Sequence, residues 1–100
     1  MTLADYLASL NDDDAPSGLP APLQSLWQEA RGDWDRAHKI VQAQDTTDAA
    51  WVHAYLHRKE GDAANAGYWY RRAQRPVSDG TLENEWRDIV STLLESGGAG

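Results

Sequence analysis

A Gly-Asp pair that occurs twice, at Gly32-Asp33 and again 29 residues later at Gly61-Asp62, constrains the fold of this chain most. Glycine readily adopts the left-handed backbone conformation that ends a helix. An aspartate directly after it can cap the backbone N–H groups of a following helix. Each pair therefore predicts a tight corner between two consecutive helices.

Apolar residues recur at helical spacing on both sides of these corners, and no segment shows the alternation typical of a strand. Thr2 and Asp5 resemble a capping box, whereas the acidic, Pro- and Gly-containing stretch 11–20 is predicted to be a loop. Helices are predicted over residues 3–10, about 20–31, 34–44, 47–60 and 63–74, and from 82 to the Gly97-Gly98 pair. Residues 97–100 are predicted to form a frayed tail. We therefore expect one all-α domain over residues 1–100, built from five to six short helices.

The residues around the two corners also match each other. Ala37 corresponds to Ala66, and Ile40-Val41 corresponds to Trp69-Tyr70. A small residue lets a helix approach its antiparallel partner closely, and bulky residues a turn later fill the space between the axes. The pattern is typical of repeated antiparallel helical hairpins.

The segment from Gly32 to Ala37, Gly-Asp-Trp-Asp-Arg-Ala, resembles the corner of tetratricopeptide repeats, and Ala66 to Ala73 is similar to the core of their Sel-like variety. The resemblance covers about half of the chain, from Leu23 to Gln74, with a spacing short of a full repeat and with Ala63 in place of an aromatic residue. It implies a tetratricopeptide-like fold capped by the terminal helices, and it implies a protein-interaction module. The block from His53 to Ala73 also resembles a motif of small uncharacterised bacterial and fungal proteins, which names no activity.

Composition and charge exclude several classes of function. The chain has no cysteine, which excludes disulfides, zinc–thiolate sites and thiol chemistry. No apolar run approaches the ~20 residues needed to span a bilayer. The net charge of −7 disfavours binding to nucleic-acid phosphates, and the acidic N-terminal stretch lacks the basic region of a signal peptide. We expect a cytoplasmic protein that binds neither nucleic acid nor a membrane.

The charge is unevenly distributed along the chain. Residues 53–76 carry five basic side chains and two acidic ones, and the remainder is strongly acidic. Arginine suits bidentate capture of carboxylates. We therefore expect the fourth and fifth helices to bind an acidic or extended protein segment through a basic, aromatic-edged surface, here called the predicted basic surface: Tyr55, His57, Arg58, Tyr68, Arg71, Arg72 and Arg75. Alternatively, these charges form a solvated face or pair with the chain's own acids, including Asp62, Glu83 and Glu85.

A different hypothesis concerns a metal site on the fourth helix. His53, His57 and Glu60 fall within roughly 60° of one another, opposite an apolar stripe of Trp51, Val52, Tyr55 and Leu56. Two imidazoles four residues apart can hold a divalent metal, and a carboxylate could complete the set. The catalytic Glu of zinc proteases is missing, because Ala54 follows the first histidine. Alternatively, these side chains cover an outer face or hydrogen-bond to a neighbouring helix.

No pattern in the sequence indicates an enzyme. The serines lie in no nucleophile elbow, no Gly-rich phosphate loop is present, and Asp12-Asp13-Asp14 lacks the spacing of a calcium loop. We therefore expect no catalytic residues and no cofactor. The first hypothesis is a non-catalytic interaction module. The second is a small metal- or anion-binding protein, or an enzyme, that uses the face of His53, His57 and Glu60, and the third is a structural or assembly domain.

Overall fold

Six α-helices form the fold in the computed structural model, which describes residues 1–98. They are α1 (Leu3–Ser9), α2 (Ala21–Ala30), α3 (Trp34–Gln42), α4 (Thr47–Lys59), α5 (Ala63–Ala73) and α6 (Leu82–Gly98). No strand occurs within residues 1–98, which confirms the all-α prediction. In the same part of the chain, no helix has the length and apolar character that a membrane span requires.

The last helix extends further than the sequence indicated. It continues through Gly97 to Gly98, because glycine lowers helix stability without forbidding the conformation. The remainder of the predicted frayed tail, residues 99–100, lies outside the described residues.

Polar side chains fix where the helices begin. Thr2 and Asp5 form the predicted capping box of α1. Thr46 and Thr81 each accept a hydrogen bond from the backbone N–H three residues later, at the starts of α4 and α6. Pro22 lies in the first turn of α2. A backbone N–H there would have no acceptor within the helix, so proline loses no hydrogen bond. These features are local, and the sequence predicted them correctly.

The two Gly-Asp corners have the same geometry. Gly32 and Gly61 adopt left-handed φ angles of 90° and 89°. The carboxylates of Asp33 and Asp62 each accept a hydrogen bond of 3.1 Å from the backbone N–H three residues later. Each corner thus ends one helix and caps the next within three residues, as predicted.

Helix α4 lies at the centre of the domain. The nine residues from Ala49 to His57 are all buried, and α4 packs against α2, α3, α5 and α6. The sequential pairs α2/α3 and α4/α5 pack together, with the small residues Ala37 and Ala66 buried in them. The central position of α4 determines the surroundings of every polar side chain that it carries.

Of the two alternatives to a metal site, an outer face is wrong for the histidines of α4, whereas a hydrogen bond to a neighbouring helix is observed between His53 and His38 of α3. His53 is 4% exposed and His57 is 6% exposed, although both lie away from the predicted apolar stripe. The stripe is only part of the buried surface, because alanines on the remaining sides of α4 let the neighbouring helices approach.

Hydrogen bonds from aromatic side chains attach the terminal helices. The Tyr6 hydroxyl of α1 donates to the Leu23 carbonyl at 2.6 Å, and the Trp86 indole of α6 donates to the Leu26 carbonyl at 3.4 Å. The Tyr6 and Trp86 rings also contact each other, with centroids 5.9 Å apart. These large rings are buried with their polar groups paired, and α1 and α6 cover the core.

Replacing a corner glycine should destabilise the domain through backbone conformation alone. Gly61→Ala should lower the free energy of unfolding by about 1–2 kcal/mol, because a Cβ atom disfavours the left-handed conformation. A Cβ at this position would meet nothing within 4 Å, so no steric clash adds to the effect. Gly67→Ala, within α5, is the matched control and should raise stability by about 1 kcal/mol. Urea unfolding followed by circular dichroism measures both, and a Gly61→Ala protein as stable as the parent would contradict the expectation.

Candidate functional site

All three histidines of the chain meet where α3 faces α4. This histidine cluster consists of His38 from α3 and of His53 and His57 from α4. The Nε2 atoms of His38 and His53 are 2.9 Å apart, and the ring centroids of His38 and His57 are 5.2 Å apart. One ring nitrogen of each histidine lies within 4.8 Å of the other two. The half-buried His38 connects the cluster to the surface.

Two tryptophans hold the rings in position. Trp34, one turn before His38 on α3, stacks on it with centroids 5.0 Å apart, and its indole N–H donates to a backbone carbonyl of α4 at 2.9 Å. Trp69 of α5 stacks on His53 with centroids 3.8 Å apart. His53 and His57 stack on each other, because residues four apart share a helix face. Three helices therefore fix the orientation of the cluster.

Glu60 orients the third ring. His57 Nδ1 lies 2.6 Å from Glu60 Oε1, and a carboxylate only accepts hydrogen bonds, so Nδ1 carries a proton. In the neutral ring the lone pair is then on Nε2. A carboxylate bonded to one imidazole nitrogen is the usual partner of a histidine that binds metal through the other. The amide nitrogen of Asn65 lies 3.4 Å from this Nε2 and donates a hydrogen bond to it.

Burial favours the uncharged form of the cluster. Desolvation lowers the pKa of His53 to about 4, with further lowering by the neighbouring rings of His38 and His57. Desolvation and then His57 also lower the pKa of His38, against the opposing effect of Glu60 and Asp35. Both imidazoles are therefore neutral at pH 7. Neutral imidazole is the form that binds a metal ion.

The spacing of the ring nitrogens suits a divalent metal. Zn–N bonds of about 2.0–2.1 Å at a tetrahedral angle place two ligand nitrogens about 3.3 Å apart. The His38 and His53 nitrogens are 2.9 Å apart and no pair of ligand nitrogens in the cluster exceeds 4.8 Å, so the observed spacings bracket this value. His57, Glu60 and Asp62 form a second close group, but its two carboxylates are exposed. The histidine cluster is therefore the better candidate, with a fourth coordination position left open.

The sequence identified part of this cluster. His53 stacks on His57 and His57 contacts Glu60, as their spacing indicated. The predicted set of three does not form a ligand group within residues 1–98, because His53 groups with His38 and His57 instead. His38 was missed, because it lies 15 residues from His53 on a different helix, and no spacing rule covers such a contact. The only signal was that every histidine of the chain falls between positions 38 and 57.

The structure divides the predicted basic surface. Arg58 turns inward, with Nη1 2.8 Å from Glu85 Oε1 and Nη2 in contact with the Gly80 carbonyl. Arg75 covers the ring of Trp51, 3.9 Å from its centroid. These arginines are therefore held by the chain itself, and Arg58 pairs with one of the acids that the sequence offered.

The other members of the predicted basic surface lie in different places. Tyr68, Arg71 and Arg72 are exposed on α5, and Arg72 donates to the Tyr68 hydroxyl at 3.1 Å. Tyr55 is 3% exposed and lines a cavity on another side of α4, and His57 belongs to the histidine cluster. Only the part on α5 remains a continuous exposed group.

In comparisons with known proteins, no family model, no curated protein and no solved structure matches the chain. The resemblance to tetratricopeptide repeats therefore stays a prediction. Any functional proposal rests on the geometry of the histidine cluster, the arginines and the cavities.

The histidine cluster should make the stability of the domain depend on pH. The pKa of His53 is about 4 in the folded state and 6.5 in an unperturbed histidine, so between these values the unfolded chain binds a proton that the folded chain does not. The free energy of unfolding is therefore fully retained above pH 6.5 and decreases as the pH falls towards 4. Each unit of pKa lowering corresponds to about 1.4 kcal/mol. Urea unfolding of the parent should show this loss, and His53→Gln should show a shallower one. In an NMR titration, a His53 ring with a midpoint near 6.5 would contradict the expectation.

Proposed function

We propose that this chain binds one divalent transition-metal ion at the histidine cluster, with His38, His53 and His57 as ligands. The observation that supports this is the convergence of three ring nitrogens from two helices to within 4.8 Å of one another. Three imidazoles this close repel one another when protonated. When neutral, each ring carries one nitrogen lone pair, and a shared cation would accept all three.

The donor atoms indicate the class of metal. Imidazole suits Zn²⁺, Ni²⁺, Cu²⁺ and Fe²⁺, whereas Ca²⁺ and Mg²⁺ prefer oxygen ligands. The chain has no thiolate to offer, which removes the soft sulfur sites. Glu60 supplies negative charge beside three neutral ligands through its contact with His57. We therefore propose a zinc-like cation that keeps a position open for water or another ligand.

Metal titration of ligand variants tests this proposal. The parent should bind one equivalent of Zn²⁺ or Co²⁺, and His38→Ala should abolish binding by removing a ligand. His38 is half-buried, so its truncation disturbs the core less than truncation of His53. Glu60→Gln should weaken binding about 10- to 100-fold, because the carboxylate orients His57. Isothermal titration calorimetry in a non-chelating buffer measures each affinity.

Glu95→Gln is the matched control, because Glu95 is an exposed carboxylate on α6 and its replacement should leave metal affinity unchanged. Circular dichroism of each variant separates loss of a ligand from loss of the fold. A folded parent protein that binds none of Zn²⁺, Co²⁺, Ni²⁺ and Cu²⁺ would refute the proposal. Metal binding that survives His38→Ala would do the same.

The exposed group on α5 supports a second proposal, namely binding of an acidic or extended protein segment. Tyr68 is 44% exposed, and the Arg72 guanidinium lies over the rings of Tyr68 and Trp69, 5.9 and 5.2 Å from their centroids. The ion pair of Arg72 with Asp45 is solvent-exposed, so it contributes little and leaves the guanidinium accessible to an external carboxylate.

Arginine variants separate this binding surface from the core of the fold. Arg72→Ala should weaken capture of a glutamate-rich peptide and leave the melting temperature nearly unchanged. Arg58→Ala should instead lower the stability by about 2 kcal/mol, because Glu85 is only 5% exposed and loses its cationic partner. Fluorescence anisotropy and thermal melts measure the two effects. Unchanged peptide affinity in Arg72→Ala would contradict the second proposal, and an unchanged melting temperature in Arg58→Ala would contradict the structural role of that residue.

A further inference from the structure

A cavity of about 340 Å³ lies between α1, α2, α4 and α6, on the side of α4 away from the histidine cluster. Tyr55 lines it, and this residue is about 200° around the helix axis from both His53 and His57. Leu7 of α1 and Leu82 and Trp86 of α6 form apolar walls. The volume falls within the range of small-molecule sites.

The floor of the cavity is polar. It includes the carboxylate of Glu29 from α2, whose side chain is 3% exposed, and Tyr55, which is 3% exposed as a residue. A carboxylate buried this deeply needs hydrogen-bond donors, because water reaches it poorly. Its donor in the structure is Lys59, which contacts Oε1 and whose side chain is 44% exposed.

The hydrogen-bonding capacity of this floor is not filled by residues 1–98. Within that part of the chain, no donor contacts Glu29 Oε2 and no partner contacts the Tyr55 hydroxyl. In the same residues, no fully buried side-chain polar atom lacks a partner. The two free oxygens must therefore keep contact with solvent, and the cavity is the space that both residues line.

The negative charge of Glu29 affects the neighbouring phenol groups. Burial raises the pKa of Tyr55 and of Tyr6, and the negative charge of Glu29 raises both further. Both phenols therefore stay neutral, and the Tyr55 oxygen can accept a hydrogen bond.

Two cations, Lys59 and Arg87, also line the cavity, but their side chains are 44% and 49% exposed, and Arg87 lies 3.9 Å from Glu83. Solvent screens these charges more than it screens the charge of Glu29. The floor itself thus offers two acceptor oxygens beside one buried negative charge, which favours a ligand that donates hydrogen bonds and carries positive charge.

We propose that this cavity binds a small primary ammonium compound with a compact apolar body. The ammonium group donates to Glu29 Oε2 and to the Tyr55 oxygen, and the body packs against the leucines and Trp86. Lys59 keeps its contact with the other carboxylate oxygen, since one carboxylate accepts several donors. An anion would be repelled by the buried charge, and an apolar ligand would leave both oxygens without a partner. This site is independent of the metal proposal.

Binding of 2-phenylethylamine to the full chain tests the inference, with 2-phenylethanol as a neutral compound of the same shape. In ¹H–¹⁵N NMR spectra the amine should cause saturable shifts at Tyr55, Leu82 and Trp86. The alcohol should bind at least about tenfold more weakly, because it carries no charge to pair with Glu29. Equal affinities, or no saturable shift with the amine, would overturn the proposal.

Variants of the floor residues separate the contribution that each side chain makes to amine affinity. Glu29→Gln should weaken amine binding at least about tenfold, and Tyr55→Phe about three- to tenfold, because each removes an acceptor. Tyr55→Phe breaks no hydrogen bond within residues 1–98, so it stays informative even where Glu29→Gln fails to fold. Lys59→Met removes the competing cation and should tighten amine binding.

Glu83→Gln is the matched control, because this carboxylate lines the same cavity but its side chain is 81% exposed. Its effect on amine affinity should be less than about twofold, since exposed charges are screened by solvent. An effect of Glu83→Gln as large as that of Glu29→Gln would overturn the assignment of the buried carboxylate. Unchanged amine affinity in both Tyr55→Phe and Lys59→Met would also overturn it.

Discussion

Helix α4 presents no side to solvent from Ala49 to His57, and the rest of the structure is arranged around this constraint. A polar group in such a helix must find its partner inside the domain or in a cavity, because water cannot supply one. Within this stretch, His53 contacts His38 of α3. Just beyond it, the partly exposed Arg58 and Lys59 pair with buried carboxylates of α6 and α2. The polar side chains of α4 therefore specify which helix lies on which side.

The histidine cluster is an unusual way to satisfy this constraint. An apolar side chain of similar size would fill the space at His38 or His53 without desolvating two ring nitrogens. The hydrogen bond between these two rings compensates for one nitrogen of each. Packing alone thus gives no reason for three adjacent imidazoles, whereas a shared cation does.

The sequence predicts those features whose interacting groups lie within a few residues of each other along the chain. The caps at Thr46 and Asp62 act on a backbone N–H three residues away, and the corner glycines act on their own backbone. Such contacts have a fixed spacing in any helix, so a single sequence reveals them.

The contacts that define the candidate sites span much longer distances along the chain. His38 and His53 are 15 residues apart, Arg58 and Glu85 are 27 apart, and Lys59 and Glu29 are 30 apart. These separations depend on how the helices pack, which helical periodicity does not determine. For the same reason, the sequence pattern left open whether His53 lies on an outer face or bonds to a neighbouring helix, and alanines around α4 allow neighbouring helices to cover it.

The two proposed sites share one electrostatic property, although they lie on opposite faces of α4. Each gathers several hydrogen-bond acceptors into a small volume: ring nitrogens at His53 and its neighbours, and oxygens at Glu29 and Tyr55. The imidazole site suits a transition metal, whereas a single carboxylate and a phenol are too few ligands for Ca²⁺ and better suit an ammonium group. The net charge of −7 attracts cations to the domain as a whole. The exposed arginines of α5 lie outside both sites, so an acidic partner bound there would not compete for either cation.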